Sequence, residues 1–368
     1  MNHNYYCDQV GSLIRPEKLL AARSAFEAGR IDKEKLNSIE DESVLEQLKM
    51  QQDVGIEIFS DGEMRRDAWQ TNFSQAVEGF EGNYPKYDME TPEGEPIKIQ
   101  FHTKIVSGKL QKVKRLAAVD ARFMFEHSPA PFKITMPSPS HITISSFKKG
   151  ITDSVYPDMD ALRQDIVAII KDEMQSLVQE GVTYLQLDEG FMNYCFADWR
   201  LDMKGQGIDP EKLLEAEIAA DNTCYDASRK EGVTMAMHLC RGSRVSWMKR
   251  NGDYEWLAER LFDQLHVDRF LLEYDTDSAG GFEPLRFIPK NKIAVLGLVS
   301  SKNPTLESQN ELLRRIDSAS KHCPLERLAL SPQCGFQGAA TRDGVHMSPD
   351  IQKRKLELVV ETARKVWG

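Results

Sequence analysis

Nowhere in this chain of 368 residues does an apolar run approach the roughly 18 residues that a membrane-spanning helix needs. The opening MNHNYYCDQVG shows no apolar h-region, so no secretory signal is visible and a cytoplasmic protein is expected. Cysteine is sparse. The six thiols, Cys7, Cys195, Cys224, Cys240, Cys323 and Cys334, are scattered too widely for a disulfide framework, which fits a reducing compartment and thiolate chemistry. No G-x-G-x-x-G follows the first apolar segment, which weakens a dinucleotide-binding reading. Internal repeats and low-complexity tracts are missing as well. Positive charge is in deficit: 47 Lys and Arg against 57 Asp and Glu leave a net charge of −10. That balance argues against general binding of phosphate backbones, so neither nucleic acid nor a membrane is expected as a partner. The densest basic stretch, KLQKVKR at 109–115, reads as a solvated face.

What the chain does have is alternation. Short apolar segments at 9–13, 56–60, 132–136, 183–187, 233–239, 270–274, 293–299 and 327–331 are separated by helical patterns at 34–54, 159–180, 210–230, 254–265, 305–321 and 349–367. Alternation of this kind predicts parallel strands covered by helices. Eight strands in a chain of this length point to an α/β protein of the (β/α)8 TIM-barrel class, one domain over 1–368, with a doubly wound sheet as the runner-up. The region 79–119 breaks the rhythm. It is rich in Gly, Pro and charge, and IKIQFHTKIVSGKLQKV reads as a β-hairpin turning at Ser107-Gly108, an insertion between strands two and three.

Unusual polar residues fall at the C-terminal ends of the expected strands, where barrels carry their chemistry: GSLIRP, SDGEMRRD, QLDEG, HLC, LLEYD, VSSK and SPQCGF. In HLC, His238 and Cys240 are two apart, so on an extended strand they face one side. With Glu273 and Cys334 they offer one nitrogen, two sulfurs and one oxygen, a set that zinc accepts in a tetrahedron and that magnesium or calcium does not favour. Spacings of 33 and 61 residues from Cys240 to Glu273 and on to Cys334 exceed those of a zinc finger and suit ligands delivered by separate strands. Two thiolates make a zinc ion electron-rich, suited to activating a bound thiol rather than ionising water. Taken singly, each residue has a plainer reading: a His-x-Cys packed in a core strand, a salt-bridged Glu273, and Cys334 as a small buried apolar group.

Together these segments resemble the cobalamin-independent methionine synthase family, its catalytic half, from Val10 to about Phe336. GSLIRP is similar to the family's opening G-S motif, GEMRRD to its G-E-x-x-R-x-D segment, QLDEG to D-E-P with Gly190 for proline, HLC to H-x-C, and SPQCGF to N-P-D-C-G. The resemblance implies a (β/α)8 barrel and a zinc cofactor on His238, Cys240, Glu273 and Cys334. It also implies homocysteine held as a zinc-bound thiolate and methylated to methionine. Glu63 and Asp188 would hold its α-amino group, and the backbone near Ser12 its α-carboxylate. The methyl donor would be a 5-methyltetrahydrofolate or another methyl compound, with Arg15, Arg66 and Glu189 as candidate anion or donor contacts. Lys302 stands where the family places a histidine acid, and would give up a proton only with a depressed pKa. Trp69, Trp199 and Trp247 are candidates for stacking on a pterin. The full-length plant and bacterial enzymes carry a second barrel, and this chain resembles the short single-barrel relatives. Two other readings stay open: an alkyltransferase using another thiol such as coenzyme M, as in the epoxyalkane:coenzyme M transferases, and a non-catalytic zinc- or thiol-binding module. The sequence does not fix an oligomeric state.

Overall fold

A computed structural model describes residues 5–82, 86–90, 96–100, 104–188, 191–240, 252–340 and 347–368. In chain order its strands are β1 (Val77–Glu81), β2 (Lys86–Glu90), β3 (Pro96–Gln100), β4 (Ile105–Lys112), β5 (Ile134–Pro137), β6 (Tyr184–Asp188), β7 (Thr234–Leu239), β8 (Arg269–Glu273), β9 (Ile293–Val299) and β10 (Leu328–Pro332). Strands β5 to β10 form one parallel sheet in sequence order. Their residues are almost all buried, as parallel strands covered on both faces must be.

Eight strands were expected and six are formed in this sheet. Single parallel bridges mark the edges where the other two were expected: Cys7, two residues before the segment 9–13, with Leu330 beside β10, and Phe59, within 56–60, with Phe132 beside β5. The two segments also touch each other: Gln9 donates its side-chain amide to the Ile58 carbonyl at 3.2 Å, and the Ser60 hydroxyl donates to the Gly11 carbonyl at 2.7 Å.

The long helices follow from their ends. Asp32, Asp158 and Ser348 cap the N-termini of Lys33–Val54, Met159–Glu180 and Pro349–Trp367, each accepting a backbone N–H with its side chain. Helices at Glu17–Glu27, Thr71–Ala76, Ala118–His127, Pro139–Ser146 and Ala197–Gly205 were not expected. Four of them lack a capping side chain, and all are short, so the helical period has little length in which to show. Among the described residues no helix is long and apolar enough to cross a membrane.

The core has two layers. A large cluster lies between the sheet and its helices. A small one, Val10, Ile58, Tyr184, Ala236, Leu271, Val295 and Ala329, draws one residue from each of seven of the eight expected strand segments. Buried polar groups adjoin this inner layer, with the Lys133 ammonium 4.6 Å from the Tyr184 ring centre. Lys133 pairs with Asp8 at 2.6 Å and donates to Gln186 at 2.8 Å, and Gln186 in turn donates to Asp188 at 2.7 Å. A buried lysine needs such a partner to offset its desolvation.

The expected turn at Ser107-Gly108 is corrected. Both residues lie inside β4, which pairs antiparallel with β1, while β2 pairs with β3. Gly108 is part of the strand and makes no turn. It lies against Gly79, where β1 bulges with φ of 110°, and a Cβ on Gly79 would come within 2.9 Å of the Gly108 carbonyl. The basic stretch 109–115 is tied to the helix Met159–Glu180: Lys112 pairs with Asp172, and Arg115 reaches Glu173 and Glu180, each at 2.7 Å.

Candidate active site

The C-terminal ends of the parallel strands bring most of the expected residues together. His238 is the fifth residue of β7, and Cys240 follows its last residue. Their side chains are buried, and with Cys334, just beyond β10, their donor atoms lie within 4.8 Å of one another. The Cys240 and Cys334 sulfurs are 3.3 Å apart and not bonded to each other. His238 donates its Nδ1–H to the Leu271 carbonyl at 3.2 Å, while its buried Nε2 has no hydrogen-bond partner among the described residues. Burial holds the imidazole pKa down to about 3, so the ring is neutral at physiological pH, the form in which histidine ligates a metal.

The donor set fits zinc. An orphaned buried nitrogen and two converging thiols form an incomplete arrangement in a protein interior, and a soft-ligand cation completes it. Glu273, at the end of β8, is adjacent: its Oε2 is 3.6 Å from the Cys240 sulfur, yet it is not one of the three donors that converge. Two cations or dipoles hold it. Lys302 donates to Oε1 at 2.7 Å, and the Gln333 amide to Oε2 at 3.4 Å. Lys302 also reaches Asp275 at 3.4 Å, which accepts from the Ser300 hydroxyl at 2.7 Å. Burial works against the Lys302 charge, but the Glu273 and Asp275 carboxylates outweigh it and raise its pKa above the ordinary lysine range. The depressed pKa that proton donation by Lys302 requires is therefore not what this setting produces.

A second cluster lies across the strand ends. Glu63 is 2% exposed and, among the described residues, is alone among non-glycine residues in having a positive φ, 58°. Such a conformation costs about 1–3 kcal/mol and marks a backbone held for a purpose. Its Oε1 accepts from Thr135 at 2.8 Å and Arg66 at 3.3 Å, while its buried Oε2 has no partner among the described residues. Asp188 ends β6 and is 5% exposed. Burial raises the pKa of both carboxyls. At Asp188 the nearby Glu63 charge adds to the rise, whereas at Glu63 the Arg66 charge works against it. Two buried carboxyls that disfavour each other's ionisation suit a ligand ammonium.

Ser12 is buried beside Cys334: its carbonyl accepts the Phe336 N–H at 2.9 Å, and a Cβ on Gly335 would overlap its hydroxyl. Gly335→Ala is therefore expected to cost about 1–3 kcal/mol of stability through overpacking, read as a lowered denaturant midpoint. An unchanged midpoint would contradict this contact.

Arg15 and Arg66 brace the loops. The Arg15 guanidinium is buried on the carbonyls of Gln337, Glu63 and Arg66 at 2.7, 2.9 and 3.1 Å. Arg66 is held on Glu63, Thr135 and the Trp69 carbonyl. Trp69 packs against His141 with ring centroids 4.6 Å apart, and Trp199 against Tyr194. Glu189, Gly190 and Trp247 lie outside the described residues.

Sequence reasoning missed Gln333, Thr135, Gln186 and Asp275. Gln333 sits inside SPQCGF and Gln186 inside QLDEG, so the motifs held the signal. Thr135 is an unmarked position of a buried strand.

Comparisons with known proteins place the chain in a family and a fold. Residues 7–354 match the family profile described as "Cobalamin-independent synthase, Catalytic domain". YxjH of Bacillus subtilis (strain 168), described as uncharacterized, is 33% identical over 366 residues, covering 99% of this chain and 95% of YxjH. The crystal structure of a candidate vitamin-B12-independent methionine synthase from Listeria monocytogenes aligns with a TM-score of 0.75 at 27% identity, covering 99% of this chain and 98% of that one. A B12-independent methionine synthase from Shewanella sp. W3-18-1, in complex with selenomethionine, shares the fold with a TM-score of 0.73 at 20% identity, over 98% and 97% of the two chains. The chain belongs to the cobalamin-independent synthase family through its catalytic domain, and is an enzyme, a transferase of that family.

Proposed function

We propose that this protein transfers a methyl group to the sulfur of homocysteine, making methionine, from a methylated folate or another methyl donor. The observation that carries the reading is the pairing of two sites on one strand-end face: His238, Cys240 and Cys334 converging on one point, and the buried carboxyls of Glu63 and Asp188, close enough for the charge of Glu63 to act on Asp188. An amino-acid thiol has a group for each. The Shewanella enzyme's selenomethionine, a product-like ligand, supports the same choice.

His238, Cys240 and Cys334 would hold zinc, with Glu273 beside them, and bound zinc lowers the pKa of a thiol ligand below its free value of about 8.5. The remaining work belongs to the chain's own residues. Glu63 offers its unpartnered Oε2, and Asp188 its carboxylate, to the α-amino group, which discriminates against thiols without one. Backbone near Ser12 is the proposed seat of the α-carboxylate. Held at both ends, the ligand keeps its sulfur aimed at the donor carbon, and that orientation supplies much of the rate. Lys302, committed to Glu273 and Asp275, acts on Glu273 electrostatically and keeps its proton near neutral pH. Arg15 and Arg66 position the loops that carry Glu63.

The same reading carries the architecture. The inner core layer drawn from seven strand segments and the two edge bridges support closure of the sheet into an eight-stranded barrel, one domain with the antiparallel pairs of β1 to β4 as its insertion. Free thiols throughout fit a cytoplasmic setting.

A thiol panel tests the substrate. Zinc-loaded protein is titrated calorimetrically with homocysteine, cysteine and coenzyme M. Homocysteine is expected to bind tightest, with methionine appearing when a methyl donor is supplied. Preference for coenzyme M would move the reading to the other thiol class.

A further inference from the structure

One face of β6 is polar from end to end. Tyr184, Gln186 and Asp188 stand two apart, so their side chains leave the strand on the same side. All three are buried. The Gln186 amide is committed at both ends. Its oxygen accepts from the Lys133 ammonium at 2.8 Å, and its nitrogen donates to the Val10 carbonyl at 2.6 Å and to Asp188 Oδ1 at 2.7 Å. These partners decide which end of the amide points where. An ammonium only donates and a backbone carbonyl only accepts, so a single orientation satisfies both. Lys133, just before β5, is itself held by three oxygens: Asp8 at 2.6 Å, the Gln9 carbonyl and Gln186. Asp8 accepts in turn from the Tyr184 hydroxyl at 2.8 Å. The network therefore runs from the first residue of β6 to its last, and it ends on Asp188.

We propose that Gln186 is a positioning residue for substrate recognition: oriented by Lys133, its N–H holds the Asp188 carboxylate in place to receive the α-amino group of the amino-acid thiol. The proposal rests on the reading of Asp188 given above. Its physical basis is preorganisation. A carboxylate free to turn about its side-chain bonds loses that freedom when a ligand stops it, and the loss weakens binding. A hydrogen bond to one oxygen fixes the group before the ligand arrives, and a bond to an ionised acceptor is of the stronger kind. The amide must present its nitrogen to do this. An amide that flipped would set its oxygen against the carboxylate, and the two would repel. Lys133 removes that alternative by claiming the amide oxygen. Gln186 makes no contact with the ligand in this scheme and acts through Asp188.

The test compares two ligands on the zinc-loaded full chain by calorimetry: homocysteine, and 4-mercaptobutanoate, the same thiol acid without the amino group. Wild type is expected to prefer homocysteine, and D188N to lose most of that preference. Q186M keeps the length of the side chain without its amide. It is expected to bind homocysteine about tenfold more weakly, the lower end for a hydrogen bond to a charged group. Its affinity for 4-mercaptobutanoate and its zinc content are expected to match wild type. Damage to packing alone would weaken both thiols together. In the D188N background the Gln186 substitution is expected to cost nothing further, because no carboxylate is left to hold. If Q186M does not fold, Q186E, which keeps an acceptor for Lys133 and has no N–H, takes its place with the same expectation. An unchanged preference for homocysteine in a folded Gln186 variant, an equal loss for both thiols, or additive losses in the double variant overturns the positioning role and leaves Asp188 as the amino-group contact. A wild type that binds the two thiols equally, or neither, overturns both.

Discussion

The Cys240→Ser protein is expected to fold and to lose its metal, and methyl transfer with it. Cys240 is the centre of the donor group: fully buried, 3.3 Å from the Cys334 sulfur and 3.6 Å from the Glu273 carboxylate. A serine hydroxyl fills nearly the same space, so the strand end is not asked to repack. It is a poor zinc donor at neutral pH, because it stays protonated where a thiol would ionise. Changing a group that merely surrounds a metal ligand costs about 10–100-fold in affinity, and loss of a thiolate ligand should exceed that. Zinc content after gel filtration, with circular dichroism as the folding control, reads the effect. Cys224→Ser supplies the contrast. Cys224 is equally buried, but its sulfur faces the Val167 carbonyl on the helical side, so that variant should retain zinc. Full zinc retention in Cys240→Ser would remove this residue from the site.

Asp188→Asn should do the reverse, keeping zinc and weakening homocysteine. An asparagine retains the shape and one acceptor but not the charge that meets an ammonium. The expected loss is about 1.5–3 kcal/mol, roughly 10- to 150-fold in affinity. The pH dependence follows from the raised carboxyls of Glu63 and Asp188. In the ligand-free protein both bind a proton more tightly than in the unfolded chain. The contribution of each to stability is therefore greatest below the ordinary carboxylate range and declines as pH rises from about 4 through the raised value. An ammonium between them favours the ionised forms, so ligand binding in the intermediate range releases protons. Asp188→Asn should shrink that proton release and flatten the stability decline. Both are measurable, the first by calorimetry in buffers of different ionisation enthalpy, the second by denaturation at several pH values. Normal homocysteine binding by Asp188→Asn would contradict the assignment of the amino group.

Much of this arrangement was legible in the chain before any coordinates. The segments 293–299 and 159–180 coincide with their elements, because continuous apolar runs and capped amphipathic stretches are strong local signals. So do the strand-end positions of His238, Asp188 and Glu273. What was not legible depends on contacts between distant residues. The segments around Gln9 and Ile56 are apolar enough for strands yet make only single bridges. Gly108 looked like a turn residue because glycine next to serine usually marks one, yet it lies within β4, and the close approach there requires glycine at Gly79. Lys302 could be read only as a candidate acid. Its partners, Glu273 and Asp275, come from a neighbouring strand, and no local pattern encodes them. Arg15 resembled an anion-binding residue for the same reason, whereas its fork is spent on three carbonyls.

At the centre of the proposed chemistry is a metal position that also receives the substrate sulfur. Zinc-edge X-ray absorption on the purified protein, recorded with and without homocysteine, tests this most directly. The protein alone should show two sulfur neighbours, from Cys240 and Cys334, with nitrogen from His238. Added homocysteine should raise the count to three sulfurs. A zinc spectrum unchanged by the thiol would contradict the account and leave a structural metal or a different substrate in its place.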